Sequence, residues 1–350
     1  MRRASPFPVH RTTGAARPRC RASVPVPWPA QRGDRMAESG PLTGKAARAG
    51  VTRDIVRPLP RTFREAPGDH MEAGRPSRTA MRAAHARARH QADPQRVFTD
   101  PLASKILHLG PAELTPPPDD PVARYNIRFV AARSRFAEDS LASAVTAGTR
   151  QAVILGAGLD TFACRNPHTG LTVFEVDHPD TQEWKRQRMA AAGMAVPPSL
   201  AFAPVDFERD TLAAALDSAG LDRTRAAFFI WLGVTPYLTR DAVLTTLRFV
   251  AEHTAPVHVV FDYYLEPPSA MAPELRTAHE AATRRVAELG EPWLSYFTPD
   301  GLADELRAMQ LTDIEDLPGP ELLARYLDGP IPDADAFSGH VLRAGRATAR

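Results

Sequence analysis

The chain has 350 residues, 43% hydrophobic and 24% charged, proportions that suit one large α/β domain with an appended tail. Its longest apolar run, Ala226–Val234, falls well short of the ~18 residues that cross a bilayer, and two cysteines, Cys20 and Cys164, build neither a disulfide framework nor a thiolate metal cage. The net charge of +2 is unevenly spread: residues 1–70 hold 14 Arg and Lys against 5 Asp and Glu, which leaves the remainder acidic and disfavours a globally basic nucleic-acid reader.

Residues 1–70 also hold 10 of the 34 prolines and show no periodic apolar face, so we expect a disordered tail there. Met1-Arg2-Arg3 is basic, but no apolar stretch follows, and a secretory signal is not expected. Three readings of the tail stand: a targeting peptide, a disordered binding arm, or an upstream extension before a start at Met36 or Met71. The last is favoured by a composition with only 3 lysines among 43 basic residues, the bias of a GC-rich genome. Low cysteine usage points to a reducing, cytoplasmic compartment.

Residues 71–350 read as one domain. A helical cap over 71–147 is expected, with one helix from Met71 to about Ala92 capped by Ser77, a second over Val97–Leu109, a turn at 115–121, and a long amphipathic helix over Val122–Ala147. Ile127, Val130, Phe136, Leu141 and Val145 share a face of that last helix. After Gly148 short apolar runs alternate with helical stretches, the pattern of βαβ units. The expected strands are Ala152–Leu155, Leu171–Val176, Leu200–Val205, Ala227–Leu232, Val257–Tyr263, Leu311–Asp316 and Phe337–Arg343, the last entering antiparallel. Residues 266–298, with a helix near 272–289 and the apolar stretch Trp293–Phe297, form an insertion after the fifth strand, where such sheets build their substrate side.

Chemistry concentrates at strand ends. The first strand runs into Gly156-Ala157-Gly158-Leu159-Asp160-Thr161, a turn whose glycines let backbone approach a ligand. A dinucleotide fingerprint needs a third glycine where Thr161 stands, which argues against a pyrophosphate. The second strand ends with Glu175 and Asp177 on one face, about 20 residues past the glycines, where a carboxylate suits a ribose diol; helix capping is the structural alternative for Asp177. The third ends at Asp206-Phe207, where Asp206 can accept from an adenine amine and Phe207 can read the base, or Asp206 can simply cap a turn.

The blocks VILGAGLDTFACR (153–165), VFEVDHPDTQEWKRQRM (173–189), VDFERD (205–210) and FFIWLGVTPYLTRDAV (228–243) resemble the bacterial S-adenosylmethionine-dependent methyltransferases related to leucine carboxyl methyltransferase. The upstream SRTA (77–80), VFTDPLA (97–103) and RSRF (133–136) fit the same family, and the resemblance covers roughly residues 75–345. It implies a seven-stranded Rossmann-like class I methyltransferase fold with an N-terminal helical cap and an insertion after the fifth strand. It further implies S-adenosyl-L-methionine as cofactor, with Gly156, Ala157 and Gly158 under its methionine moiety, Asp177 on the ribose beside Glu175, and Asp206-Phe207 at the adenine. Arg133 matches an arginine that pairs with the cofactor carboxylate, and Arg78 another basic residue of the cap. The chain departs from the carboxyl methyltransferases at Leu232, where they carry a glutamate.

The implied activity is O-methylation of a carboxylate or hydroxyl on a small molecule. A carboxylate acceptor needs alignment rather than a base, whereas a hydroxyl would need one; His178 and Tyr237 are the candidates, each with a plain structural reading, and Asp262 and Tyr263 at the end of the fifth strand are others. An NAD(P)-dependent oxidoreductase and a non-catalytic cofactor-binding protein are the alternatives. Neither nucleic acid nor membrane is an expected partner, no metal is expected, and the oligomeric state is open.

Overall fold

The computed structural model describes residues 78–346, apart from Glu208, 330–338 and most of 267–291. The expectations for the tail, for Ser77 and for the helix near 272–289 therefore lie outside the described residues. The chain divides after Pro60, and all described residues belong to its second unit.

The cap comprises α1 (Arg78–His90), α2 (Ala103–Ile106) and α3 (Pro121–Thr146). Just past the end of α1 the His90 ring accepts from the N–H groups of Val97 and Phe98, at 3.0 and 3.3 Å, and so pins the extended chain that follows. Burial lowers the His90 pKa to about 4, which keeps that ring neutral and accepting. The expected helix over Val97–Leu109 is corrected to the single turn of α2. Pro101 disfavours helical backbone at Asp100, whose Oδ1 instead accepts from Leu102 N at 3.1 Å in an Asx turn. α3 begins as expected after the proline-rich turn, with Asp120 accepting from Val122 N and Ala123 N and Pro121 in the first helical position.

Seven strands follow: β1 (Gln151–Leu155), β2 (Thr172–Asp177), β3 (Leu200–Pro204), β4 (Ala227–Trp231), β5 (Val257–Tyr264), β6 (Asp313–Pro318) and β7 (Gly339–Arg346). They form one sheet in the order β3-β2-β1-β4-β5-β7-β6. β1 to β5 pair in parallel, and β7 slots antiparallel between β5 and β6, as the sequence pattern anticipated. The connecting helices are α4 (Phe162–Arg165), α5 (Pro179–Ala191), α6 (Leu212–Ala219), α7 (Arg240–Ala251), α8 (Pro299–Ala308) and α9 (Gly319–Tyr326).

Because the central strands are covered on both faces, β1 and β4 are buried end to end. Alternate residues feed two cores. Val153, Leu155, Phe229 and Trp231 pack with Leu216 of α6, Leu247 of α7 and Leu306 of α8. Ala152, Ile154, Phe228 and Ile230 pack with Phe129, Phe136 and Leu141 of α3 and Leu322 of α9. A third cluster joins Ala84 and Ala88 of α1 and Ile106 of α2 to Leu159 and Met189, which seats the cap over the carboxyl end of β1.

Candidate active site

Strand order reverses between β1 and β4, so the loops leaving these two strands part and open a crevice at their carboxyl ends. β1 delivers the glycine turn there. Gly156 and Gly158 have φ of +63° and +46°, backbone that favours glycine. A Cβ on Gly156 would stand 2.5 Å from Val234 Cγ2 in the β4 loop, and one on Gly158 would stand 2.8 Å from Ala80 Cβ of α1. Ala157 N donates to Val176 O at 3.0 Å, which ties the turn to β2.

Asp177, the last residue of β2, grips the same turn. Its Oδ2 accepts from Gly158 N at 2.6 Å and its Oδ1 from His178 N at 2.8 Å. Burial pushes this carboxyl upward while the two N–H groups pull against it. The residue is half-buried, and each oxygen retains a lone pair for another donor. Capping of α5 falls to His178, whose Nδ1 accepts from Asp180 N at 3.2 Å.

Glu175 departs from the expectation of a ligand-facing carboxylate. It is 1% exposed and takes a hydrogen bond from Lys185 Nζ at 2.5 Å, while Gln182 of α5 holds its backbone carbonyl at 2.8 Å. The strand turns this side chain under α5, where the pair with Lys185 satisfies its charge.

At the end of β3, Val205 N donates to Asp177 O at 2.9 Å, which sets Asp206 beside the second strand end. Asp206 carries a tight turn: its carbonyl accepts from Arg209 N and Asp210 N at 2.9 and 2.7 Å, and its N–H donates to Asp210 Oδ2 at 3.1 Å. Phe207 is 51% exposed, so its ring stands outside the core.

Across the crevice, Gly233 has φ of +74°, and a Cβ there would meet Arg133 Nη2 at 2.8 Å. Asp262 of β5 accepts from Gly233 N at 2.6 Å and from Arg133 Nη1, so both carboxylate oxygens are engaged. Arg133, buried under the β4 loop, keeps an Nε with no hydrogen-bond partner among the described residues. Leu232, at the departure from the carboxyl methyltransferase pattern, packs against the α3 side of the core.

Tyr264, two residues beyond Asp262 and so on the same face of β5, packs against Trp293 with ring centroids 4.5 Å apart and the planes tilted by 33°. Leu294 N donates to Pro236 O at 2.7 Å and Ser295 Oγ to Thr235 O at 2.9 Å, which moors this segment to the turn carrying Tyr237. Burial, then Tyr237 and Asp262, push the Tyr264 phenol upward, while Arg133 and Arg82 oppose. Tyr263, proposed from sequence to face substrate, is corrected: it is 1% exposed, and its hydroxyl donates to Asp316 at 2.5 Å beside His340. Strand alternation turns it toward the other face of the sheet. Trp293 lies in the apolar stretch expected on the substrate side, whereas Tyr264 was missed in the sequence, where the tandem Tyr263-Tyr264 pointed to its neighbour.

A seven-stranded sheet in this order, with a glycine turn and an acidic residue at adjacent strand ends beside its reversal, defines the class I methyltransferase fold. The sequence profile described as leucine carboxyl methyltransferase matches residues 80–251. YktD of Bacillus subtilis (strain 168), classed by name among the S-adenosyl-L-methionine-dependent methyltransferases, is 36% identical over 210 residues, 59% of this chain and 68% of that protein. A protein of the same class from Mycolicibacterium vanbaalenii is 32% identical over 238 residues, covering 66% and 77% of the two chains. Among solved structures, a methyltransferase from Thermobifida fusca YX aligns with a TM-score of 0.45 at 17% identity, over 73% of this chain and 95% of that one. The chain belongs to the bacterial S-adenosyl-L-methionine-dependent methyltransferases related to leucine carboxyl methyltransferase, and S-adenosyl-L-methionine is its cofactor. No helix among the described residues is long and apolar enough to cross a membrane.

Proposed function

We propose that this methyltransferase transfers its methyl group to an oxygen of a small molecule, and that the oxygen belongs to a carboxylate. S-adenosyl-L-methionine supplies an electrophilic methyl on a sulfonium. The glycine turn Gly156-Ala157-Gly158 is the cradle for its methionyl part, since positive φ at its two glycines, packed against Val234 and Ala80, bends the backbone sharply at the mouth of the crevice. The unpaired Nε of buried Arg133 suits the cofactor carboxylate, Asp177 the ribose hydroxyls, and Asp206 with Phe207 the adenine.

One observation supports the choice of acceptor: the candidate bases Asp262 and His178, among the described side chains of the crevice, already hold backbone or an arginine. Both oxygens of Asp262 are engaged. His178 Nδ1 is occupied in accepting from Asp180 N at the start of α5. The Tyr264 phenol, pushed upward, is a donor at neutral pH. Such a wall orients a nucleophile that arrives already ionised, and the rate then comes from alignment, worth up to ~7–11 kcal/mol in well-ordered systems.

The test is methyl transfer from labelled cofactor to a panel of small carboxylic acids, phenols and alcohols, followed by mild alkali. Methyl esters release methanol under those conditions and ethers do not. Label that stays alkali-stable, or that resides on nitrogen or sulfur, refutes the carboxylate reading. The pH profile adds a second check, because an ionised carboxylate gives a flat rate from pH 6 to 8 in a reaction without base catalysis, whereas a base-dependent hydroxyl gives a rising one.

A further inference from the structure

The block Val97–Ala103 has no part in the site described above, yet its Asp100 is wholly buried directly behind the glycine turn. Oδ2 of Asp100 accepts from Thr161 Oγ1 at 2.7 Å and lies 3.4 Å from Arg87 Nε. Oδ1 lies 3.5 Å from Arg165 Nε. The two arginines reach further into the same region. Arg87 Nη2 donates to Leu159 O at 2.7 Å, Arg165 Nε donates to Thr161 Oγ1 at 3.1 Å, and Arg165 Nη1 donates to Glu138 of α3 at 2.7 Å. Thr161 precedes α4 without capping it, because its hydroxyl is committed to Asp100.

We propose that Asp100 is a positioning residue for cofactor binding: by holding Thr161 and Arg87 together it fixes the backbone from Gly156 to Thr161 in the shape that receives the methionyl part of S-adenosyl-L-methionine, which makes the N-terminal cap a working part of that site. The proposal rests on the reading of the glycine turn as the cofactor cradle. A turn containing two glycines has many accessible conformations, and something outside it must select one. Asp177 selects from the β2 side by accepting from Gly158 N; Asp100 selects from the cap side, through the Leu159 carbonyl held by Arg87 and the Thr161 hydroxyl. A carboxylate is the group this requires. It is the anion shared by the buried Arg87 and the partly buried Arg165, and a neutral replacement leaves Arg87 with no other carboxylate partner among the described residues.

The experiment is calorimetry of S-adenosylhomocysteine on the full chain for four variants, with melting temperatures measured alongside. Thr161→Val keeps the side-chain shape and removes only the hydroxyl, so it should fold and weaken binding about threefold to tenfold. Asp100→Asn should weaken it tenfold or more by the same reasoning, with faster amide exchange in residues 158–161. Asp93→Asn is the control, since it breaks the 2.8 and 3.0 Å pair with Arg128 inside the cap, away from the turn. Asp177→Ala tests the cradle itself. Should Asp100→Asn fail to fold, Thr161→Val decides. Thr161→Val binding within twofold of wild type while Asp177→Ala is impaired overturns the proposal, as does Asp93→Asn weakening binding equally at a matched loss of melting temperature. Binding unmoved by Asp177→Ala overturns the cradle reading and the brace with it.

Discussion

Replacing Asp177 with alanine separates two tasks that one carboxylate performs. In the protein alone, Asp177 accepts from Gly158 N at 2.6 Å and from His178 N at 2.8 Å. Loss of both acceptors from a half-buried position, where water can reach the freed N–H groups, should cost about 1–2 kcal/mol of folding stability. If the same oxygens also accept from the ribose, the cofactor loses a hydrogen bond to a charged group, about 1.5–3 kcal/mol or roughly 10-fold to 150-fold in Kd. Calorimetry with S-adenosylhomocysteine and its 2′,3′-dideoxy analogue forms a double-mutant cycle. Wild type should penalise the analogue, and Asp177→Ala should bind both ligands alike. Equal penalties in the two proteins refute the ribose assignment and leave Asp177 only the brace of the glycine turn.

Gly158→Ala imposes φ of +46° on a residue with a Cβ, at about 1–2 kcal/mol, and drives that atom to 2.8 Å from Ala80, so cofactor affinity should collapse while the sheet survives; circular dichroism with a binding isotherm checks both. If Asp206 reads the adenine amine, wild type should reject an inosine analogue of the cofactor by about 1–3 kcal/mol, Asp206→Asn should reject it less, and Asp177→Asn should keep the discrimination. Acid should destabilise the protein through His90 and His253, both lowered from 6.5 to about 4 by burial. Above pH 6.5 each is neutral folded and unfolded; below it the unfolded chain takes up a proton that the folded ring refuses, so each removes up to about 3 kcal/mol by pH 4. The fall of melting temperature with acidity should be shallower in His90→Gln, and an unchanged slope refutes the assignment to that ring.

Much of the architecture was legible because the relevant forces are local. Short continuous apolar runs rich in aromatic residues, such as Ala227–Trp231, suit strands covered on both faces, and the strand ends fell within about three residues of the pattern. The glycine turn and Asp177 were legible because their chemistry sits in short motifs. What was not legible depended on partners far along the chain. Glu175 and Asp177 are equivalent in the alternation of β2, and only Lys185 on α5 decides that the first is buried and the second borders the crevice. Val97–Leu109 has helical composition, but His90 and the Asp100 turn hold its first residues, Val97–Leu102, out of the helix, an arrangement with no periodicity to detect. Trp293 reaches Tyr264 only through hydrogen bonds to Pro236 and Thr235, in a different loop.

Three of the interior charge clusters share a location that stability alone does not explain. Glu175 with Lys185, Asp262 with Arg133, and Asp100 with Arg87 and Arg165 all lie at or beside the carboxyl ends of β1, β2, β4 and β5. A buried ion pair gives back in attraction roughly what its desolvation cost, and apolar side chains of similar volume hold a fold as well. Geometry is what the pairs add. Two of them engage backbone directly, Asp262 at Gly233 N and Arg87 at Leu159 O, while beside the third Gln182 holds Glu175 O. An in-line methyl transfer needs little acid–base chemistry and close alignment, so rigid loops matter more to it than titrating groups. On the reading proposed above, charges spent on fixing backbone serve the alignment that an already ionised acceptor requires.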